Sequence, residues 1–209
     1  MKKIIYLGEL NNKFEYYTSE KLQEEAKKYN ISIGSNTFIG NESVILHNTV
    51  IGENVNIGKS VNIWMRNIVY ANVDIGDGSI LGDGSILGDY SSLGRNSNIG
   101  NNSVIMTESE IGDNVIIGEN VTILDRAKIK SGWKITKVIH LINEYRYHVS
   151  GYVVNGKTII QMGCYTRTPQ EWENDFWNND REFIEGTPEG EKRLKAFMKI
   201  KKIMELYND

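Results

Sequence analysis

The chain has 209 residues and a mass of 23.8 kDa, enough for one sizeable core or for a main domain with a smaller one attached, and too little for two full-sized enzyme domains. Apolar residues make up 40%, charged residues 24%, and the formal net charge is −3. This composition excludes a disordered or polybasic chain, so nucleic acid is not the expected partner. The single cysteine, Cys164, allows no internal disulfide, and the start from Met1 to Glu9 interrupts its apolar run too early for a secretion signal. No window approaches the roughly 18 apolar residues of a membrane span. A cytoplasmic protein is expected.

In chain order, residues 1–30 read as an N-terminal cap. Lys3–Leu7 has the pattern of a short strand, and Ser19–Tyr29 that of a helix with Ser19 at its N-cap. From Ile33 onward every sixth residue is aliphatic: Ile33, Ile39, Ile45, Ile51, Ile57, Ile63, Val69 and so on to Ile129, seventeen positions without an insertion. Eleven of the twenty glycines directly follow one of them, from Gly34 and Gly40 to Gly118. Two residues before each aliphatic position stands a small or β-branched residue, as in Thr37, Ser43, Val55, Ser79, Ser97, Val121 and Ala127. Residues two apart point to the same side of a strand, and a fixed short period of this kind specifies a solenoid.

With these residues the segment 31–136 resembles the hexapeptide-repeat family. The resemblance implies a left-handed parallel β-helix of about six coils, three hexapeptides to each triangular coil, against the usual right-handed crossover rule. Positions 18 apart then stack about 4.8 Å apart and define three outer faces. One carries Val50, Ile68, Ile86 and Val104, an aliphatic row expected to be buried by neighbouring subunits or by the C-terminal helices. A second carries Asn56, Asp74, Ser92 and Glu110, beside a stack of Lys59, Asp77, Arg95 and Asp113 that reads as a solvated ladder of alternating sign. The third is mixed, with Val44, Asn62, Ile80, Asn98 and Ile116. The N-terminal helix is expected to plug the first coil, and Trp133, in place of a small interior residue, marks the other end.

Residues 137–209 read as a small module. Tyr145–Val154 and Lys157–Met162 flank the hairpin signal Asn155-Gly156. Thr168-Pro169-Gln170-Glu171 combines an N-cap, a first-turn proline and a capping-box glutamate, which predicts a helix from Pro169 to Asn178. Thr187-Pro188 opens a last helix to Tyr207, with Ala196, Phe197, Ile200, Ile203, Met204 and Tyr207 on its apolar side. Trp172, Phe176 and Trp177 read as core, and Cys164 as a buried small residue. The stretch Ile160 to Thr168, followed by Glu171-Trp172, resembles a tail found in bacteriophage-encoded proteins and implies no catalytic residue. The expected whole is mainly β, a β-helix with an N-terminal cap and a C-terminal hairpin plus two helices.

The hexapeptide resemblance implies, as its enzyme reading, acyl transfer from coenzyme A by trimers that place a histidine base between neighbouring β-helices. Of His47, His140 and His148, only His47 lies in the coils, and Leu46 to Glu53 is similar to the segment around the base of serine acetyltransferases. Neither a carboxylate neighbour nor an inserted loop accompanies it. A gamma carbonic anhydrase site would need three coil histidines, so no metal is expected, and the Gly-Asp and Gly-Asn pairs read as turn corners. The repeat breaks its own rule at one place, where Trp64 and Tyr70 replace glycines and Asn67 replaces the small interior residue; such a break marks either function or packing of Trp64 under Leu46 against the C-terminal module. Tyr90, Glu108 and Arg126 share one column, with Glu108 and Arg126 an expected ion pair. The first expectation is a non-catalytic homotrimer, phage-encoded and working in the host cytoplasm. It would sequester a small anionic, nucleotide-like ligand between subunits on Trp64, Arg66, Asn67, Tyr70 and Arg126, with no cofactor. The alternatives are a coenzyme-A-dependent acyltransferase using His47, and a structural spacer or virion component.

Overall fold

The computed structural model describes residues 3–16, 18–144, 146–163, 165–176 and 184–207, so that Cys164, Trp177 and Asn178 lie outside the described residues. The chain divides into two compact units, Met1–Lys134 and Ile135–Asp209.

The first unit is a parallel β-solenoid of about six turns. Its coil strands are mostly two residues long and pair with strands 18 residues on, as in Val50 with Ile68, Ile68 with Ile86 and Ile86 with Val104. Three sheets result: sheet A through Ser43–Leu46, Asn62–Ile63 and Ile80–Leu81, sheet B from Ser32–Ile33 to Thr122–Ile123, and sheet C from Phe38–Ile39 to Lys128–Ile129. The sixth-residue aliphatics point inward and fill the prism; Ile39, Ile45, Ile57, Ile63, Leu81, Ile99, Ile105 and Ile123 have no exposed surface. The coils approach so closely that a Cβ on Gly34 would lie 2.5 Å from the carbonyl carbon of Gly52. The repeated glycine therefore answers a demand for space.

The small interior residues carry the polar bonding between coils. Ser43, Ser79, Ser97 and Ser103 each donate to the carbonyl of a glycine 15 residues on, at 2.8–3.0 Å. Each also accepts the backbone N–H of the residue 18 on, at 3.0–3.3 Å. Asn67 keeps half of this pattern with an amide: its Oδ1 accepts from Ser85 N of the next coil at 2.9 Å, while its Nδ2 donates within its own coil, to Trp64 O at 2.9 Å. Among the described residues no buried side-chain nitrogen or oxygen lacks a partner.

The corners repeat as strictly as the strands. Every sixth residue from Asn30 to Gly132 has positive φ, and most of these positions hold Asn or Gly, which visit the left-handed region at little cost. Asn36, Asn54 and Asn72 form an amide ladder along one corner, each Nδ2 donating to the next Oδ1. Tyr90 follows them in the same column with φ 57°, 65% exposed. The stack of Lys59, Asp77, Arg95 and Asp113 differs from the expected ionic ladder. Asp77 accepts from the backbone N–H of Lys59 and Asp113 from that of Arg95, both at 2.7 Å. A fixed backbone donor 18 residues away outcompetes a flexible, hydrated cation for the carboxylate.

At the N-terminus, β1 (Lys3–Gly8) pairs in parallel with Ser43–Leu46 and antiparallel with β2 (Lys13–Tyr16), extending sheet A by two strands. Helix α1 (Ser19–Lys27) is capped by Thr18 rather than Ser19 and buries Leu22 and Ala26. The Tyr16 hydroxyl donates to Ile39 O at 3.1 Å, and burial pushes its pKa up to about 12. In the outward row of sheet B, Val50 is 46% exposed and Ile68, Ile86 and Val104 are half-buried.

In the second unit, four antiparallel strands, Lys134–Leu141, Val149–Val154, Lys157–Met162 and Tyr165–Arg167, carry helices α2 (Pro169–Asn174) and α3 (Pro188–Glu205). The hairpin turn is Asn155-Gly156 with both residues at positive φ, and Thr168 with Glu171 forms the capping box. Trp172 is wholly buried and donates from Nε1 to Ile160 O at 2.9 Å.

Two stability outcomes follow from the corner and interior ladders. Tyr90→Asn should stabilise the protein by roughly 1 kcal/mol, because asparagine tolerates the left-handed corner and its Oδ1 can accept from Asn72. Asn67→Ala, which leaves Ser85 N–H without its acceptor, should cost about 1–3 kcal/mol, and Asn67→Ser should cost less. Urea unfolding midpoints at constant slope measure both.

Candidate functional site

The candidate site is the corner that leads from sheet A into sheet B in the first coils. His47 stands there immediately before the left-handed Asn48. Its ring is half-buried and meets the Tyr29 ring edge-on, with centroids 5.6 Å apart at 67°. It makes no hydrogen bond to a described residue, so both nitrogens remain open. Tyr29 is itself immobilised. Asn12 Nδ2 donates to its hydroxyl at 2.5 Å, and its ring lies where a Cβ on Gly8 would fall, 2.1 Å from Cδ1. Gly8 has φ +77°, so glycine is required there on both counts.

One coil further along the same corner stand Trp64, Met65 and Arg66. Trp64 is 40% exposed, and Arg66 holds the left-handed position with φ 61°. The Arg66 side chain is 69% exposed, and its Nη2 comes only within 4.0 Å of Asp83. Trp64 O receives two bonds from inside, from Asn67 Nδ2 and from Thr49 Oγ1 at 3.1 Å, which brace the corner from beneath.

Between α1 and the sheet B side of the first coil lies a groove of about 370 Å³. Its apolar lining residues are Ile31, Ile33 and Val50, of which only Val50 is exposed, and its polar rim includes Gln23, Lys27 and Asn48. Gln23 Nε2 donates to Ile33 O at 2.9 Å and ties α1 to the coil; Asn30 Nδ2 donates to Asn48 Oδ1 at 2.7 Å.

The five expected ligand contacts do not converge within one chain. Trp64 and Arg66 occupy the corner entering sheet B, whereas Tyr70 occupies the corner leaving it. Arg126 lies on that second corner three coils further on, roughly 14 Å along the axis. It is also engaged: Nε donates to Glu108 Oε2 at 2.8 Å and Nη2 to Oε1 at 3.3 Å, a pairing that lowers the Glu108 pKa and raises that of Arg126. Asn67 is wholly buried with both ends of its amide committed, so it cannot meet a ligand from outside. Sequence reasoning missed Tyr29 and Lys27, although the 18-residue spacing of Asn30 and Asn48 marks their corner. Among the described residues no group of three His, Cys, Asp or Glu could hold a metal, and no helix is long and apolar enough to cross a membrane.

Three solved structures are similar to the chain. The acetyltransferase domain of PglB from Neisseria gonorrhoeae FA1090 is 17% identical, with 56% of this chain and 62% of that one covered and a TM-score of 0.47. A variant of GDP-perosamine N-acetyl transferase from Caulobacter crescentus, in complex with CoA and GDP-perosamine, is 18% identical, with 56% and 60% covered and a TM-score of 0.47. A variant of AntD, an N-acyltransferase from Bacillus cereus in complex with dTDP and coenzyme A, is 15% identical, with 78% and 97% covered and a TM-score of 0.45. The aligned part is about three-fifths of the length of the first two. At these identities the likeness is one of fold. No curated protein matches the chain. The expectation of a non-catalytic, nucleotide-sequestering protein is corrected here: the contacts it required are divided between two corners or buried. The family model of the GMPPB C-terminal domain matches residues 28–139, just over half of the chain, and the chain belongs to that family.

Proposed function

We propose that the chain is a coenzyme-A-dependent acyltransferase of the hexapeptide type, in which His47 is the general base. The observation that carries this reading is the placement of His47: a coil histidine at a corner, half-buried, steadied by the fixed Tyr29 ring, with both nitrogens open. Coenzyme A supplies the acyl group as an activated thioester. His47 accepts the proton of the acceptor's amine or hydroxyl as that atom bonds to the acyl carbon. As imidazolium it then returns the proton to the sulfur that leaves when the carbon–sulfur bond breaks, so charge and atoms balance. Trp64 and Arg66 stand exposed one coil away, where an indole face suits an adenine and a guanidinium suits a phosphate. The aliphatic residues Ile68, Ile86 and Val104 of sheet B are the surface through which three copies would meet and complete the cleft beside His47.

Calorimetry should detect coenzyme A binding to the intact chain, and His47→Ala should lower kcat by about 10²–10⁴-fold without weakening that binding, measured as thiol released from acetyl-CoA in the presence of an amine or hydroxyl acceptor. Absence of coenzyme A binding at millimolar concentration ends the acyltransferase reading. Sedimentation should give a trimer, and Ile86→Asp, placed in the middle of the aliphatic row, should dissociate it. A chain that sediments as a monomer before any substitution refutes the trimer.

A further inference from the structure

We infer that the groove between α1 and the first coil is a binding site for a small organic anion, a carboxylate or phosphate head on a short apolar body. The inference does not depend on the acyltransferase reading. It rests on three features of the groove: its charge, an interrupted amide ladder at its rim, and its apolar floor.

The groove is lined by one cation, Lys27, and by no carboxylate. Lys27 makes no ion pair or hydrogen bond to a described residue, in contrast to its neighbour Lys28, which is paired with Glu25 at 2.7 Å. On the corner between sheets B and C the asparagine ladder runs on from Asn54 to Asn72, each amide N–H finding the next Oδ1. On this corner the ladder runs from Asn30 to Asn48 and then stops, because the next position holds Arg66, which has no acceptor to offer. The Asn48 side-chain N–H groups therefore donate to no described residue, at the rim of the groove that Lys27 also lines.

Arg66 adds a second cation to the same corner, in a left-handed backbone position that asparagine or glycine would occupy without strain. The outward row of sheet B begins here with Ser32, whose hydroxyl is a further donor at the rim, before it turns aliphatic at Val50. An anionic head would thus meet Lys27, the Asn48 amide and the Ser32 hydroxyl. Val50, 46% exposed, offers a floor for a short apolar body, with Ile31 and Ile33 buried beneath the groove. The wall is preformed, since α1 is held by buried Leu22 and Ala26 and by the Gln23 bond to Ile33. A volume of about 370 Å³ is at the small end for ligand pockets and selects a compact molecule.

The test titrates the full-length, ¹⁵N-labelled chain with hexanoate, hexyl phosphate, hexanol and inorganic phosphate, following the Asn48 side-chain amide by NMR. At least one of the two amphiphilic anions should bind saturably, about tenfold or more tighter than both hexanol and inorganic phosphate. The tighter of the two identifies the head. Lys27→Gln, a substitution of an exposed residue that removes the charge and keeps part of the aliphatic stem, should weaken that binding at least about tenfold. Asn48→Gly, which preserves the left-handed corner and removes the amide, should weaken it roughly fivefold, read from the backbone amides of Lys27 and Ser32. The inference is overturned if neither anion shifts the Asn48 amide, if hexanol or inorganic phosphate binds as tightly, or if Lys27→Gln binds unchanged.

Discussion

Each coil of the solenoid can satisfy its backbone only through the coil 18 residues on, and this requirement governs the rest of the first unit. The N–H of Gly52 reaches Val69 O, that of Gly58 reaches Ile75 O and that of Gly100 reaches Ile117 O, all at 2.8 Å. Bonds this short hold the chains at strand spacing at the corners as well as along the strands, where there is room for glycine and little else. A buried polar group in so narrow a prism is costly unless it is paired, and each interior hydroxyl accordingly finds a carbonyl, in the next coil for Ser43, Ser79, Ser85, Ser97, Ser103 and Ser109 and in its own coil for Ser91. Asn67 shows how far the rule bends. A larger amide is accepted because it keeps the serine's accepting bond to the next coil and turns its donor back onto its own corner, which presents Trp64.

Much of this was legible in the residues, because the demand is periodic. The sixth-residue aliphatics, the glycine after them and the small residue before them each report one contact made again in every coil, so the strands, their register and the three outer rows could be written down in advance. What escaped was whatever occurs once. The strand β2 has four residues, too few for an alternation to declare itself. Lys134–Leu141 continues as a strand beyond Trp133, which had seemed to mark an end; an outsized residue at an interior position closes the coil pattern but does not stop the backbone from staying extended. Asp77 and Asp113 invited an ionic reading because their neighbours in the column are Lys59 and Arg95, while their actual partners are backbone groups that no residue type reveals. His47 was visible as the coil histidine. Its support was not, because Tyr29 reaches it only by lying across Gly8, a contact made by the path of the N-terminal chain.

The second unit solves a different problem, with helices on one antiparallel sheet and an arginine inside. Arg193 is almost wholly buried, donates to Phe176 O at 2.9 Å and lies over the rings of Trp172 and Phe176, with centroids 5.3 and 4.7 Å from its central carbon. Guanidinium tolerates such a place better than ammonium because it is planar, weakly hydrated and able to stack. Arg167 lies over Trp172 as well, at 5.0 Å, and is held by Asp175 at 2.9 Å. The indole is thus a shared platform for two cations. Gly151 admits α3 close to the sheet, since a Cβ there would fall 2.5 Å from Met204 Sδ.

The unbroken hexapeptide period also makes length a discrete variable. Because every coil repeats the same bonds to its neighbour, duplicating or deleting one whole 18-residue coil leaves each ladder with a partner in register, and changes the separation between the two ends of the prism by one strand spacing, about 4.8 Å. An insertion of a single residue within a strand would turn aliphatic residues outward and strand the hydroxyls inside without carbonyls to meet. A lineage built on this scaffold can therefore lengthen or shorten its flanks in whole steps while the corner that carries His47 keeps its geometry.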